Sequence, residues 1–271
     1  MKHSHHHGLA DDLKLMLTAL NRRQLLRLGA GAAIASALGC SDDGASADDS
    51  ASDDGASDDS GAGTCPAIPE ETAGPYPGDG SNGANALVLT GIVRSDIRPS
   101  IAGVTGTADG VALTVTLTLV DRECTPLAGR AIYLWHCDRD GDYSLYSGAA
   151  KAQNYLRGVQ ATDANGQVTF QTIFPACYSG RWPHIHFEVY PDLASATDSG
   201  NKLRTSQLAM PKATCDEVFV TAGYEASVNN LAMVTLESDN VFSDGASAQL
   251  PEISGDVTRG YVAALTVAVS A

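Results

Sequence analysis

An all-β chain folded as an antiparallel β-sandwich is the architecture that this sequence predicts, on three observations. Apolar, β-branched segments alternate with period two at residues 111–120, 184–190 and 261–269. Gly, Pro, Asn and Asp gather between such segments, with Asn165-Gly166 as a hairpin turn signal. Helical patterning is confined to one short stretch, 214–222. Short strands separated by turns, with almost no helix, pack as two sheets face to face.

The chain of 271 residues divides into three parts, and the predicted domain covers only the last, 65–271. Residues 2–7 are His-rich and are set aside as tag-like. Arg22-Arg23 precedes an Ala/Gly-rich apolar run ending at Cys40, the layout of a twin-arginine export signal over 1–39. That run falls short of the roughly 20 residues that span a bilayer. Ala37-Leu38-Gly39-Cys40 is close to a bacterial lipoprotein box, with Ala37 where Leu is usual. The expectation is export to the bacterial cell envelope, in the periplasm or held at the membrane by a lipid on Cys40. After Cys40, residues 41–64 of the 40–64 segment carry Ser, Asp, Gly and Ala, ending in Thr64, with no larger apolar side chain. They form a disordered tether spanning on the order of 25–30 Å.

Net charge is −15, and because residues 1–39 carry +3 it becomes −18 once they are removed. Eight aspartates sit in the tether, so the domain itself is acidic. Such a surface excludes nucleic acid and anionic lipid as partners. Without Cys40, five cysteines remain: Cys65, Cys124, Cys137, Cys177 and Cys215. An odd number permits at most two disulfides, and their pairing stays open.

Within the domain, the Pro-rich stretch 65–77 reads as an extended arm. Strands follow at 87–94, 111–120 and 130–136. The irregular stretch 138–155 leaves the sheet after Trp135-His136-Cys137, and loops of that kind carry function when a rigid sheet positions them. The Asp163-Ala164-Asn165-Gly166 turn leads into a strand at 167–173, and strands at 184–190 and 261–269 complete the set.

Chemistry concentrates between Tyr178 and His186. Alternation puts His184 and His186 on one face of their strand, where two imidazoles can ligate one metal ion, with Pro183 at the strand start. A bare His-x-His is equally at home on a solvated face. Tyr178 and Arg181 just upstream shift the balance toward a site.

Trp135-His136-Cys137-Asp138-Arg139-Asp140-Gly141-Asp142-Tyr143, taken with Tyr178, Arg181, His184 and His186, resembles the intradiol ring-cleavage dioxygenases, the exported single-domain branch in particular. The resemblance implies a β-sandwich and a non-haem Fe(III) held by Tyr143, in a Gly-x-Tyr, by Tyr178, and by His184 and His186 of Arg-x-x-His-x-His. It implies a catechol-type substrate and O2, with the ring opened between its hydroxyls to a muconate-type dicarboxylate. Tyr178 would accept a substrate proton, and Arg181 would stabilise charge on the ring. Thr72-Ala73-Gly74-Pro75-Tyr76 resembles the arm lining the pocket in protocatechuate-type members, which makes Gly74, Pro75 and Tyr76 pocket residues. Independently of the family, two phenols and two imidazoles suit a trivalent iron, and a cation lets phenols that titrate at about 10 bind as phenolates.

Other residues take plainer readings. Arg157 and Gln160 are within reach of the pocket, and Gln160 is carried as a pocket candidate. His136 reads as a satisfied core histidine, Cys177 as a disulfide partner or packing residue, and Tyr146 and Tyr155 as pocket or surface phenols. The stretch between Tyr178 and Arg181 is shorter than in protocatechuate enzymes, and the N-terminal helices of catechol and hydroxyquinol enzymes have no counterpart. Two other functions compete: an exported, non-catalytic β-sandwich that binds a ligand, and a cupin-type metalloenzyme. The cupin reading calls for a further histidine, and none follows His186.

Overall fold

The computed structural model describes residues 64–270. The export signal, Cys40 and all of the tether but Thr64 lie outside the described residues. Among the described residues there are eight strands: β1 (Ala112–Val120), β2 (Ala131–Trp135), β3 (Arg157–Ala161), β4 (Gln167–Ile173), β5 (His184–Tyr190), β6 (Arg204–Ala209), β7 (Glu252–Asp256) and β8 (Gly260–Ala268). Two short helices, α1 (Lys212–Phe219) and α2 (Glu225–Leu231), lie between β6 and β7. Among the described residues no helix is long and apolar enough to cross a membrane.

The strands form two four-stranded sheets, in the orders β4-β1-β8-β7 and β3-β2-β5-β6. All pairings are antiparallel except β1 with β8, which run parallel. No hairpin joins those two strands, so no turn dictates their relative direction. Period-two alternation sends Leu113, Val115, Leu117 and Leu119 of β1 inward. They share one core with Ile132 and Leu134 of β2 and with Ile185, Phe187 and Val189 of β5. Burying each such side chain stabilises the fold by about 1.5–3 kcal/mol relative to leaving it exposed.

β5 is buried along its whole length, on both faces. Its other face carries His184, His186, Glu188 and Tyr190, and is roofed by chain outside the sandwich. The arm supplies part of this roof, running from Ile68, whose N–H bonds Ala268 O, to Glu71, whose N–H bonds Thr205 O. The site therefore lies on the outer face of the second sheet, under a lid made of loops.

Two expectations are corrected, and the open cysteine pairing is filled in. Residues 87–94 are not a strand: Leu87 and Ile92 are buried, but Leu89 N–H bonds Ala86 O and Ile92 N–H bonds Leu89 O in successive turns. Gly91, at φ +91°, breaks the extended path. At Asn165-Gly166 the turn forms, closed by Asp163 N–H to Gln167 O, but β3 and β4 enter different sheets, so it is a corner between layers and not a hairpin. One disulfide is present among the described residues, Cys65–Cys124. It joins the arm to the loop after β1 across 59 residues, worth about 4 kcal/mol at most by chain entropy. Cys137, Cys177 and Cys215 are buried free thiols, so Cys177 is a packing residue.

β3, β6, β7 and α2 have no counterpart among the expected elements. β3 and β6 carry Arg157, Gln160, Arg204 and Gln207 in short segments. Arg157 and Gln207, paired with Trp135 and His186, are polar because that part of the outer face lines a site instead of a core.

Candidate active site

His184 and His186 leave β5 on the same face, each held by a different device. His184 Nδ1–H donates to Trp182 O at 2.5 Å, which leaves the Nε2 lone pair pointing into the site. His186 stacks on Trp135 of β2, with ring centroids 4.8 Å apart and planes within 4°. Its Nδ1 has no hydrogen-bond partner.

Tyr143 comes from the loop after β2. Asp138 shapes that loop by accepting the N–H groups of Asp140 and Asp142 at 3.0 and 2.9 Å. Gly141 sits at φ +89°, and a Cβ there would come 3.1 Å from the Tyr178 Cβ. Glycine thus lets the loop carrying one phenol pack on the stem of the other, a physical reason for Gly-x-Tyr. Leu145 adopts φ +72°, rare for a leucine, in a conformation that costs about 1–3 kcal/mol and is held by its surroundings.

Tyr178 follows β4 on a segment anchored by α2. Ser227 Oγ accepts Cys177 N–H at 3.0 Å, and Asn230 Nδ2 donates to Cys177 O at 2.8 Å. The hydroxyls of Tyr143 and Tyr178 each lie 3.3 Å from His184 Nε2, and His186 Nε2 lies 3.1 Å from it. Four donor atoms from three parts of the chain thereby meet around one point.

Burial pushes both phenols up, Tyr178 to about 12 and Tyr143 well above its usual value, the latter also through Tyr178 beside it. Burial also holds both imidazoles far below the usual histidine range, with Arg181 adding to the effect. Left to itself the cluster is neutral and crowded with lone pairs. A cation would reverse the preference of the phenols, and two phenolate oxygens with two imidazoles fit a trivalent iron. Among the described residues no three His, Cys, Asp or Glu side chains form a metal cage, since half of this donor set is tyrosine.

Arg181 is buried beside the cluster, its Nη1 3.4 Å from His184 Nε2. Its Nε donates to Asp239 Oδ2 at 2.9 Å and its Nη2 to Gln207 Oε1 at 2.7 Å. Burial alone would lower its pKa, but Tyr178 and Asp239 outweigh this and raise it. Gln207 also donates to Thr72 O at 2.8 Å, which ties the arm to Arg181.

The arm brings Gly74 and Tyr76 to the site. Gly74 has φ +68°, and a Cβ there would lie 3.6 Å from the His186 ring. The Tyr76 ring is 5.0 Å from that of Tyr143, and Pro75 O accepts Asn82 Nδ2 at 2.6 Å. Arg157 fastens the arm from behind. Its five N–H groups reach Tyr76 O, Pro77 O, Tyr133 Oη, Ser144 O and Ser144 Oγ at 2.6–3.0 Å. Gly78 makes room, since a Cβ there would come 2.6 Å from Arg157 Nη1.

Gln160 is corrected: its amide donates to Thr169 O of β4 at 2.6 Å, away from the donor cluster. Residues three apart in a strand point to opposite faces, so Arg157 and Gln160 cannot both face the arm. His136 is a satisfied core histidine, between Cys137 O and Thr172 Oγ1, and burial lowers its pKa to about 4. Tyr146 bonds Asn82 and the N–H of Gly78, so it pins the arm, while Tyr155 donates to Asp138 in the loop. Gln207 and Asp239 are additions to the expected site, and nothing in their local sequence marks them.

Known proteins resemble this chain over the stretch that carries the cluster. A family model described as Dioxygenase matches residues 94–186, the stretch holding Tyr143, Tyr178, Arg181, His184 and His186. Chlorocatechol 1,2-dioxygenase of Rhodococcus opacus is 31% identical over 93 residues, 34% of this chain and 34% of that enzyme. Catechol 1,2-dioxygenase 2 of Acinetobacter lwoffii is 31% identical over 74 residues, 27% of this chain and 26% of its own length. The chain thus matches about a third or less of these relatives. The solved intradiol ring-cleavage dioxygenase of Tetranychus urticae superposes with a TM-score of 0.59 at 26% identity, covering 76% of this chain and 95% of that one. The matched stretch holds the donor cluster, and the chain is similar to the intradiol ring-cleavage dioxygenases in that stretch and in its fold.

Proposed function

We propose that the protein uses Fe(III) and O2 to open a catechol between its two hydroxyls, giving a cis,cis-muconate-type dicarboxylate. The observation that carries this reading is the meeting of the Tyr143 and Tyr178 hydroxyls with His184 and His186 Nε2 beside the buried Arg181. Iron held by those four side chains would draw electron density from a bound catechol and make its ring open to O2. Both oxygen atoms end in the product, so the reaction needs no added reductant.

The chain's own residues divide the remaining work. Tyr143 is buried beneath the Tyr76 ring and serves as a fixed donor. Tyr178 is only half-buried, and its Oη takes a proton from an entering substrate hydroxyl. Arg181, held on two sides, turns Nη1 toward the donors and stabilises negative charge that builds on the ring. Gly74 and Tyr76 close one wall against water.

The guanidiniums nearest the site are committed, Arg181 to Asp239 and Gln207, and Arg157 to five neutral oxygens. Neither offers a free fork to a substrate carboxylate, which favours uncharged or simply substituted catechols. Chromatography of products from a catechol panel tests the reading: muconates are expected, and a semialdehyde or no ring opening overturns it. Arg181→Ala is expected to keep iron and its tyrosinate colour while turnover falls by about 10²–10³, as for loss of one preorganised donor. Unchanged turnover would remove Arg181 from the mechanism.

A further inference from the structure

Arg181 is steered by a residue far along the chain, in the segment between α2 and β7. Asp239 is fully buried, and its carboxylate is held by donors on two segments. Oδ2 accepts Arg181 Nε–H at 2.9 Å and the Trp182 backbone N–H at 2.7 Å. Oδ1 accepts the backbone N–H groups of Val241 and Phe242 at 2.8 and 3.2 Å. The backbone holds the carboxylate still in turn, with Asp239 N–H bonded to Thr235 O and Ser243 N–H to Asp239 O.

This arrangement does two things. It fixes the Nε edge of the guanidinium, so that with Nη2 on Gln207 the Nη1 edge faces His184 Nε2. It also neutralises a cation that is only 3% exposed and would otherwise be costly to bury. Because Oδ2 also holds Trp182 N–H, and Trp182 O orients His184, one carboxylate sets the register of both the guanidinium and a donor imidazole.

We infer that Asp239 is the positioning residue for Arg181 in ring opening, so that the 234–242 segment belongs to the active site although it carries none of the donor atoms. The inference rests on the proposed function for its catalytic part. Its structural part, the coupling of Asp239 to Arg181, stands on geometry alone.

A double-mutant cycle on the full-length protein tests both parts, with Asp239→Asn, Arg181→Met and the double variant. Asn keeps an acceptor for Arg181 Nε–H but removes the charge and turns an amide N–H toward Val241 and Phe242. In the wild-type background Asp239→Asn is expected to lower kcat for catechol about 10- to 100-fold, with KM, iron content and the dissociation constant of 4-nitrocatechol changed less than about threefold, since the charge being stabilised develops during reaction. In the Arg181→Met background the same change is expected to alter kcat less than twofold. Thermal stability reads the coupling without turnover. Asp239→Asn should lower the Tm of the wild type and raise that of Arg181→Met, where the carboxylate is buried with no counter-charge.

An equal loss of kcat in both backgrounds, or a fall in Tm in both, overturns the inference. If Asp239→Asn alone does not fold, the comparison of Arg181→Met with the double variant still decides it by the sign of the Tm change. Iron-loaded wild type that opens no catechol defeats the proposed function instead, and the Tm cycle then separates that failure from failure of the pairing.

Discussion

His186→Ala is expected to yield a folded protein that retains little iron and turns over catechol slower by about 10³ or more, because metal activation of a substrate is worth several kcal/mol of barrier. The fold should survive because His186 lies on the outer face of β5, whereas the core is built by Ile185, Phe187 and Val189 on the other. Its Nδ1 has no hydrogen bond to break, and the substitution removes the stacking of its ring on Trp135. Tyr143→Phe is the companion test. It deletes one oxygen from the donor set and leaves the ring packed on Tyr76, so the tyrosinate absorption should shift or vanish while circular dichroism stays unchanged. Iron content by elemental analysis checks both, and full iron retention in His186→Ala would sink the four-donor assignment.

Arg157→Met should be the most destabilising single change near the site, at about 3–5 kcal/mol by urea unfolding. The guanidinium is fully buried, and each of its five N–H groups meets a protein oxygen. Removing it takes a charged donor from the carbonyls of Tyr76, Pro77 and Ser144, although Pro77 O keeps the hydroxyl of Tyr133. These carbonyls belong to the arm and to the loop carrying Tyr143, so the loss should reach function as well as stability. KM for catechol is expected to rise, as Gly74 and Tyr76 are no longer held against His186 and Tyr143. Arg157→Lys should recover little, because an ammonium has three donors and no planar fork. A loss below about 1 kcal/mol would show that the arm is held by other bonds, such as those of Tyr146 to Asn82 and Gly78.

Buried charge elsewhere under the arm follows the same logic on a smaller scale. Asp79 and Glu188 are both buried, and Lys202 bridges them at 3.2 and 2.8 Å. Burial raises the Glu188 pKa, whereas hydrogen bonds from Ser81 and the charge of Lys202 hold that of Asp79 down against its own burial. This pairing pins the arm to the end of β5 farthest from the donors. The site is thus clamped by Arg157 near Tyr76 and by Lys202 near Asp79.

Much of the site is legible in the sequence because its signals are local. Alternation alone puts His184 and His186 on one face, and Gly141 before Tyr143 follows from a backbone angle that only glycine adopts easily. Tyr178 and Arg181 sit within a few residues of the histidines, so their grouping needs no knowledge of topology. The regular strands β1, β5 and β8 are visible for the same reason: a core on one face imprints period two on the chain. Residues 87–94 mislead because Leu87 and Ile92 are buried as a strand's would be, while Gly91 turns the backbone between them.

The amino-acid order by itself determined the strand faces and the turn positions, since each depends on residues no more than a few positions apart, whereas Tyr143 reaches His184 across 41 residues. It did not determine which side chains complete the site from a distance. Asp239 reaches Arg181 across 58 residues and Gln207 reaches it across 26, and neither spacing corresponds to any helix, strand or turn period. Arg157 faces the arm and Gln160 faces β4 because β3 docks against β2 in one register, a choice made by packing. The parallel pairing of β1 with β8 and the roofing of β5 by the arm arise likewise from how the two sheets and their loops share buried surface. Hydrogen bonds and charges between segments far apart in the chain form only once the core has brought them together, which is why they leave no periodic trace in the sequence.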